Sequence, residues 1–281
     1  MTNAPSVEVG GVWKIYHSTS RRASLVALQD INVKIQGGRF VSIIGPSGCG
    51  KSTLLYVIHG LVSPTRGSVR VGAKAVQHPR DTADLTRAMV FQDPLLLPWK
   101  TVSGNVAYGM EVGPRARKAL PQDQIENRVA KCVQLAGLSG FERYFPHELS
   151  GGMRQRVNLA RALAADPDVL LMDEPFSALD AQTRELMQEE LLRICGTESR
   201  TVIFITHDLE EALFLSESIL VMSSRPGRLL EKFENPLPRS RDLSIKASDD
   251  FVKLKRHLWN LLEAEVRKAV AKTGGDGYEK S

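Results

Sequence analysis

Cysteine is scarce in this chain: Cys49, Cys132 and Cys195 are the three that occur among 281 residues. Their spacing fits no metal-ligand motif, and three cysteines do not form a disulfide framework. Long apolar runs are missing too, because stretches such as 169–172 and 219–222 are far shorter than the roughly 18 residues that span a bilayer. The chain does not open with the basic and apolar segments of a secretory signal. We therefore expect a cytoplasmic protein that reaches a membrane only through a partner.

A strong charge bias is also absent. The 37 Lys and Arg residues exceed the 32 Asp and Glu residues by a formal net charge of +5. Residues 225–281 hold 13 Lys and Arg against 9 Asp and Glu, so most of the excess lies in this tail. The rest of the chain is nearly balanced and lacks the basic stripe with interleaved aromatic residues that is typical of nucleic-acid-binding surfaces. We therefore expect no nucleic acid among its partners.

Glycine, in contrast, is concentrated in a short run that begins at residue 45. Its three glycines can adopt positive φ and let backbone N–H groups approach phosphate oxygens without an intervening Cβ. A buried strand is predicted before the run, over 40–44, and a helix over 51–59 that ends at Gly60. The helix N-terminus would then face a bound anion. The run, a predicted phosphate-binding loop of the pattern G-x-x-x-x-G-K-[ST], is Gly45-Pro46-Ser47-Gly48-Cys49-Gly50-Lys51-Ser52-Thr53.

Three side chains of this loop have a predicted chemical role. Lys51 supplies a mobile cation for the β- and γ-phosphates of a nucleotide, and the Ser52 hydroxyl is placed to ligate Mg²⁺. Thr53 adds a further phosphate contact. Because such a loop occurs in kinases, GTPases and many ATPases, the later motifs must decide the class.

An apolar run that ends in two carboxylates follows much later in the chain. Residues 169–172 are predicted to form a strand, so that Asp173 and Glu174 lie at its carboxyl end, where open α/β sheets bind ligands. Asp173 would hold Mg²⁺ through its water shell, and Glu174 would polarise the attacking water. The alternative is an acidic strand end that only caps the next helix.

A second glycine group, Ser150-Gly151-Gly152, is predicted to open a helix that ends at Asp166-Pro167. Bare glycine amides at a helix start form an anion site, yet the loop at 45–53 already provides one. The two sites serve one nucleotide if two copies of the chain pair head to tail. Ser150 and Gly152 of one copy would then close over the γ-phosphate held by Lys51 of the other. The alternative is an ordinary helix cap.

Together these motifs resemble the ATP-binding-cassette (ABC) ATPases over about residues 7–235. The resemblance implies an α/β fold with a P-loop NTPase (RecA-like) core, an antiparallel β subdomain and an inserted α-helical signature subdomain. It also implies an enzyme that hydrolyses ATP with Mg²⁺. We expect the ABC ATPase domain at 6–235, its helical subdomain at about 93–165, and a C-terminal extension at 236–281.

The resemblance implies roles for further residues near the nucleotide. Gln92 is similar to the loop glutamine that senses Mg²⁺ and the attacking water, or it is a polar loop residue. His207 follows a predicted buried strand and is similar to the switch histidine that contacts the γ-phosphate, or it is structural. With Lys51 and Glu174 these two residues would form the catalytic set. The metal would be held by Ser52, Gln92 and Asp173.

Two more positions are implied by the same resemblance. Asp180 is similar to the residue in the loop that couples the two sites across the dimer, or it caps a helix. Tyr16 is similar to the aromatic residue that stacks on adenine, and Trp13 could serve instead.

The loop after Gln92 narrows the function. It contains Leu97-Pro98-Trp99, and so many apolar residues are unusual for a loop. The loop could form a socket for a helix of a partner protein. The alternative is an ordinary loop that is buried on its own domain. With the stretch 222–228, the loop resembles the ATPases of the nitrate, sulfonate and taurine importers. The resemblance implies a homodimer on the inner face of the plasma membrane, integral membrane permease subunits and a periplasmic or extracellular solute-binding protein. It implies import of a small anionic solute. The alternatives are a soluble ABC ATPase of DNA or translation processes, and an exporter or lipid-transport ATPase.

The extension is predicted to contain an amphipathic helix over 249–271. Its apolar face most simply packs on the chain's own core, or it forms a dimer or regulatory contact. The residues of that face are Phe251, Leu254, Leu258, Leu261, Leu262 and Val266.

Overall fold

The structure is a computed structural model that describes residues 4–17, 24–76, 87–112, 120–197 and 200–275. Within these ranges the chain forms ten strands and seven α-helices. The strands are β1 (Val7–His17), β2 (Ser24–Ile35), β3 (Phe40–Ile44), β4 (Arg66–Val71), β5 (Lys74–Ala75), β6 (Arg87–Val90), β7 (Val169–Asp173), β8 (Thr201–Ile205), β9 (Ser218–Met222) and β10 (Leu229–Glu234). The helices are α1 (Lys51–His59), α2 (Val102–Val112), α3 (Gln122–Leu135), α4 (Gly151–Ala164), α5 (Ala181–Thr197), α6 (Leu209–Leu215) and α7 (Asp249–Gly275).

One sheet is antiparallel and follows the order β2-β1-β4-β5. Along β1, Val7 and Val9 alternate with more exposed residues and face the core. The pairing with β2 then shifts register between Val9 and Val12, beside Gly11 with its φ of 56°. The shift keeps the side chain of Val12 in the same hydrophobic cluster as those of Val7 and Val9.

The second sheet follows the order β10-β9-β3-β8-β7-β6 and is parallel except for β10. All residues of β3, β7, β8 and β9 are buried, as expected for strands covered on both faces. Because parallel strands share a direction, the carboxyl ends of β3, β7 and β8 meet at one edge. The phosphate loop and His207 therefore follow β3 and β8, and Asp173 is the last residue of the neighbouring β7.

Helices α2, α3 and α4 pack on one another beside this sheet, with Val106, Val133 and Val157 buried between them. Gly109 of α2 lies so close to α4 that a Cβ would be 2.3 Å from the carbonyl oxygen of Arg161. The two helices thus touch through backbone. The boundaries at 6, 93, 165 and 235 remain predictions.

Helix α7 is four residues longer than predicted and lies on the core. Phe251, Leu258 and Leu262 are buried, with Leu254 and Leu261 beside them. Val266, in contrast, is 36% exposed, and the neighbouring Glu265 is buried. The predicted stripe was wrong at its last position. Within the described part of the chain, no helix combines the length and apolarity needed to cross a membrane.

Candidate nucleotide site

A large concave feature lies where the carboxyl ends of the parallel strands meet the antiparallel sheet. It is an open cavity of about 560 Å³. It is lined by Tyr16, Leu25, Ala27, Ser47, Gly48, Gly50, Lys51, Ser52, Thr53, Gln92, Glu174, His207 and Arg225.

The phosphate loop has the conformation that its glycines permit. Gly48 and Gly50 have φ of 71° and 108°, in the region that side chains rarely adopt. A Cβ on Gly50 would also lie 2.8 Å from the carbonyl oxygen of Ala27. The loop ends at the first residue of α1, Lys51, whose Nζ donates to the carbonyl oxygens of Gly45 at 2.8 Å and Pro46 at 3.1 Å. The lysine is thereby held at the loop.

Three predicted loop residues do not line the cavity. Gly45 packs on β9, where a Cβ would lie 3.0 Å from the carbonyl oxygen of Met222. Pro46 contributes its carbonyl group to Lys51. Cys49 is 1% exposed, and burial raises the pKa of its thiol. These residues shape the loop, and none of them is among the residues that line the cavity.

Asp173 does not line the cavity itself, but it is hydrogen-bonded to Ser52, which does. The Ser52 hydroxyl donates to Asp173 Oδ1 at 3.1 Å. Asp173 Oδ2 is buried and accepts no hydrogen bond of normal geometry from the described residues. Burial, reinforced by the charge of Glu174, raises the pKa of Asp173, while the hydrogen bond from Ser52 lowers it. A buried carboxylate oxygen beside a hydroxyl fits the hard oxygen donors that Mg²⁺ prefers.

Glu174 and His207 also line the cavity and lie close to each other. His207 Nδ1 is 3.2 Å from Glu174 Oε2. The Glu174 backbone N–H donates to the carbonyl oxygen of Ile205 at 3.0 Å, which ties it to the end of β8. Glu174 has a φ of 46°, which is unusual for a residue with a side chain. Such strain is typical of residues whose side chain is directed by the surrounding structure.

Gln92 is exposed and lines the cavity from the loop after β6. Helix α4 holds this loop: the carbonyl oxygen of Phe91 accepts from Gln155 Nε2 at 3.1 Å and from Asn158 Nδ2 at 3.0 Å. Arg161 donates to the carbonyl oxygens of residues 94 and 95, each at 2.9 Å. Sequence reasoning missed these contacts, which link the Ser150 helix to the Gln92 loop.

Tyr16 lines the cavity and Trp13 is not among its lining residues. The ammonium group of Lys14 lies 5.0 Å from the centre of the Tyr16 ring. Leu25 and Ala27, which were not predicted, line the cavity with it. The geometry therefore favours Tyr16 over Trp13 as the aromatic contact of a base.

The Ser150 group lies outside the cavity. Ser150 caps α4, accepting from the Met153 N–H at 3.2 Å, and both Ser150 and Gly151 are exposed. Gly152 lies against the loop before α5, where a Cβ would be 3.1 Å from Leu179 Cδ2. Asp180 then caps α5, accepting from the Thr183 N–H at 3.0 Å. These predicted residues are thus brought to one exposed face of the chain and not to the phosphate loop.

Arg225 is a charged residue that lines the cavity, and the sequence analysis assigned it no role. Its Nε and Nη2 lie 3.1 and 2.9 Å from the carbonyl oxygen of Gly48, to which both donate. The only available signal was its place in the stretch 222–228, which indicated a subgroup and no role.

Comparison with known proteins identifies the family. Residues 28–177, more than half of the chain, match the family described as ABC transporter. The aliphatic sulfonates import ATP-binding protein of Bacillus cereus is 40% identical, over 92% of this chain and 96% of that protein. The taurine import ATP-binding protein of Rhizobium johnstonii is 45% identical, over 85% of this chain and 89% of that protein.

A solved structure is similar as well. It is a dimeric post-hydrolysis state of an ATP-binding cassette with bound ADP and Pi, with a TM-score of 0.74 and 32% identity, over 83% of this chain and all of that one. The predicted α/β fold of an ABC ATPase is thereby confirmed, and the chain belongs to the ATP-binding proteins of the ABC transporter family.

Proposed function

We propose that this protein is the ATPase subunit of an importer, and that it drives uptake of a small anionic solute of the sulfonate or taurine kind through a separate permease. The observation that carries the proposal is the convergence of the phosphate loop, Glu174 and His207 on one cavity, with Asp173 hydrogen-bonded to Ser52 of that loop. The importer direction is supported by the relatives, whose names describe import of aliphatic sulfonates and taurine.

The chain's own residues divide the work of hydrolysis. Lys51 neutralises the β- and γ-phosphates, and the N–H groups at the start of α1 face them. Glu174 accepts the proton of the attacking water at its carboxylate, and His207 beside it orients that carboxylate and contacts the γ-phosphate. Tyr16 stacks on the adenine.

The residues present fit Mg²⁺. Ser52 Oγ and the carboxylate of Asp173 would hold it, with Gln92 reaching it from the neighbouring loop. When bound, the ion would supply positive charge that offsets the negative charge of the phosphates.

The second half of the site comes from another copy of the chain. Ser150, Gly151 and Gly152 present a helix N-terminus on the exposed face, and Asp180 lies beside them. The similar solved cassette is dimeric. A head-to-tail homodimer would place this helix start over the γ-phosphate held by the partner copy.

The loop after Gln92 is the proposed contact with the permease. Trp99 and Leu95 are 71% and 57% exposed, whereas Leu96 packs on the core. Arg161 and Asn105 hold the loop backbone from the helices, Asn105 through the carbonyl oxygens of residues 97, 100 and 101. An exposed aromatic residue on a firmly held loop suits a helix of a membrane partner. The assembly would lie on the inner face of the plasma membrane, with a periplasmic or extracellular solute-binding protein.

Affinity purification of the membrane partner, followed by ATPase assays of the reconstituted complex, tests the proposal. We expect an integral membrane protein to copurify, and alkanesulfonates or taurine to stimulate hydrolysis when the binding protein is present. The variant Trp99→Ala should hydrolyse ATP normally alone and lose that stimulation. Recovery of no membrane protein, with undiminished hydrolysis, would contradict the importer assignment and leave the ATPase assignment standing.

A further inference from the structure

A tight turn at residues 223–228, the Arg225 turn, connects β9 to β10 beside the phosphate loop. The Ser223 N–H donates to the carbonyl oxygen of Arg228 at 2.9 Å, and the Ser223 hydroxyl donates to that of Pro226 at 3.0 Å. The Arg228 N–H in turn donates to the Ser223 hydroxyl at 3.0 Å. The turn is closed by its own hydrogen bonds, which hold it as one compact unit.

This turn is wedged between β2 and the phosphate loop. The Gly227 N–H donates to the carbonyl oxygen of Ala27 at 3.0 Å. A Cβ on Gly227 would lie 2.2 Å from the carbonyl oxygen of Cys49, so only glycine permits this approach. On its other side Arg225 donates twice to the carbonyl oxygen of Gly48. Two consecutive peptide groups of the phosphate loop therefore rest on the Arg225 turn.

Helix α7 holds the turn from behind. Glu265 Oε2 accepts from the Ser224 N–H at 2.8 Å and from its hydroxyl at 3.0 Å, and Oε1 accepts from Lys268 Nζ at 2.6 Å. Glu265 is 7% exposed and follows Leu258 and Leu262 on the buried face of α7. The hydrogen bond from Lys268 lowers the pKa of Glu265, and the bonds from Ser224 lower it further. The buried carboxylate of Glu265 is thus a charged hydrogen-bond acceptor, and its bonds from Ser224 hold the turn in place.

We infer that α7 sets the position of the phosphate loop, with Glu265 and Arg225 as positioning residues for nucleotide binding. The path runs from Glu265 to Ser224, from there to Arg225, and from its guanidinium to the Gly48 carbonyl. The first and last steps are hydrogen bonds, and the middle step is the peptide bond between two consecutive residues of the turn. The C-terminal extension thus acts on the affinity for ATP without contacting the nucleotide. The inference rests on the proposed binding of ATP by this loop.

Steady-state hydrolysis and direct ATP binding by the full chain test this path. Glu265→Ala and Arg225→Ala should each raise the KM and Kd for ATP about tenfold, as expected for loss of a hydrogen bond to a charged group, with kcat within about twofold. Glu265→Gln keeps a hydrogen-bond acceptor, so its KM and Kd for ATP should lie between those of the two alanine variants and those of the wild type. Arg225→Lys keeps the charge without the two parallel donors and should restore only part of the affinity. Because both residues lie on one path, the double variant should bind ATP about as weakly as either single variant.

Glu263→Gln is the matched control, because Glu263 is an exposed residue of the same helix that pairs with Arg267. It should leave the KM for ATP unchanged. A Glu265→Ala protein that melts at a lower temperature but binds ATP with wild-type affinity would show that α7 is only structural and overturn the inference. The inference would also be overturned if the increase in the Kd for ATP of the double variant were the product of the increases in the two single variants. A wild-type chain that hydrolyses no ATP would count against the proposed function, which separates the two failures.

Discussion

The cavity at the phosphate loop and the exposed face around Ser150 each contain the start of a helix that follows glycine residues, yet they differ in what surrounds that helix start. In the cavity, the cations Lys51 and Arg225, the Glu174 carboxylate and the His207 ring converge on the glycine loop, and Asp173 is hydrogen-bonded to Ser52 of that loop. At the Ser150 face, the helix start has its own cap, and neither Lys51 nor Glu174 lies with it. The first site holds the chemistry, and the second offers only oriented N–H groups.

The difference is the reason for our proposal that one chain alone does not form a complete site. A helix N-terminus with exposed glycines has little to bind within its own chain, whereas the cavity is open on one side. Since closed twofold pairing places the same two surfaces against each other twice, each dimer would contain two complete sites. The predictions below test whether the two regions form one site, from the largest expected effect to the smallest.

Glu174→Gln should disable the cavity while leaving its shape intact. The amide keeps the size of the side chain but does not take a proton from water, so turnover should fall by on the order of 10²–10⁴-fold while ATP binding persists. Single-turnover hydrolysis and equilibrium ATP binding measure the two effects. Glu185→Gln, at a surface carboxylate paired with Lys246, is the control. Turnover near that of the wild type would contradict the role assigned to Glu174.

Gly151→Asp should disable the exposed face without unfolding it. A Cβ at Gly151 meets nothing closer than an Arg154 nitrogen at 3.9 Å, and a carboxylate at a helix start is itself stabilising. The same charge would repel a partner copy's γ-phosphate, so the variant should lose about 10²-fold in hydrolysis. Gly196→Asp, where a Cβ would meet nothing within 4 Å, is the matched control.

Mixing this variant with Lys51→Ala sharpens the same comparison. In a mixed dimer one site combines the intact Lys51 of one copy with the intact Gly151 of the other. Random pairing makes half of the dimers mixed, so the mixture should recover roughly a quarter of wild-type activity. If each chain instead forms its whole site alone, mixing two inactive variants would restore nothing.

Asn158→Ala should weaken the link between the two regions. Asn158 is buried in α4, the helix that Ser150 begins, and it bonds the Phe91 carbonyl beside Gln92. Loss of that bond should lower kcat about tenfold through a displaced Gln92 loop, with little change in the affinity for ATP. Asn127→Ala, an exposed asparagine of α3, should be silent. An equal loss of ATP affinity would indicate general damage to the fold instead.

Local patterns predicted well what neighbouring residues determine. The buried strand β3, the helix α1 with its Gly60 end, and the capped start of α4 all follow from short-range periodicity and capping. Arg225, Asn158 and Glu265 were missed because their partners lie 177, 67 and 41 residues away. Such contacts depend on which strands become neighbours, and no local pattern in one sequence records that.

Asp180→Asn gives the smallest effect and separates helix capping from a role in the dimer. Asparagine caps as well as aspartate, so thermal stability at neutral pH should hardly change. The N–H of Thr183 lowers the pKa of Asp180. Its charged form therefore stabilises the fold above the unfolded-state pKa, and this contribution is lost as the pH falls through the lower folded-state pKa. Melting temperatures between about pH 5 and 3 should thus fall less steeply in the variant than in the wild type. If hydrolysis by the dimer is also unchanged at neutral pH, Asp180 is only a cap, whereas slower hydrolysis with unchanged melting would assign it to the composite site.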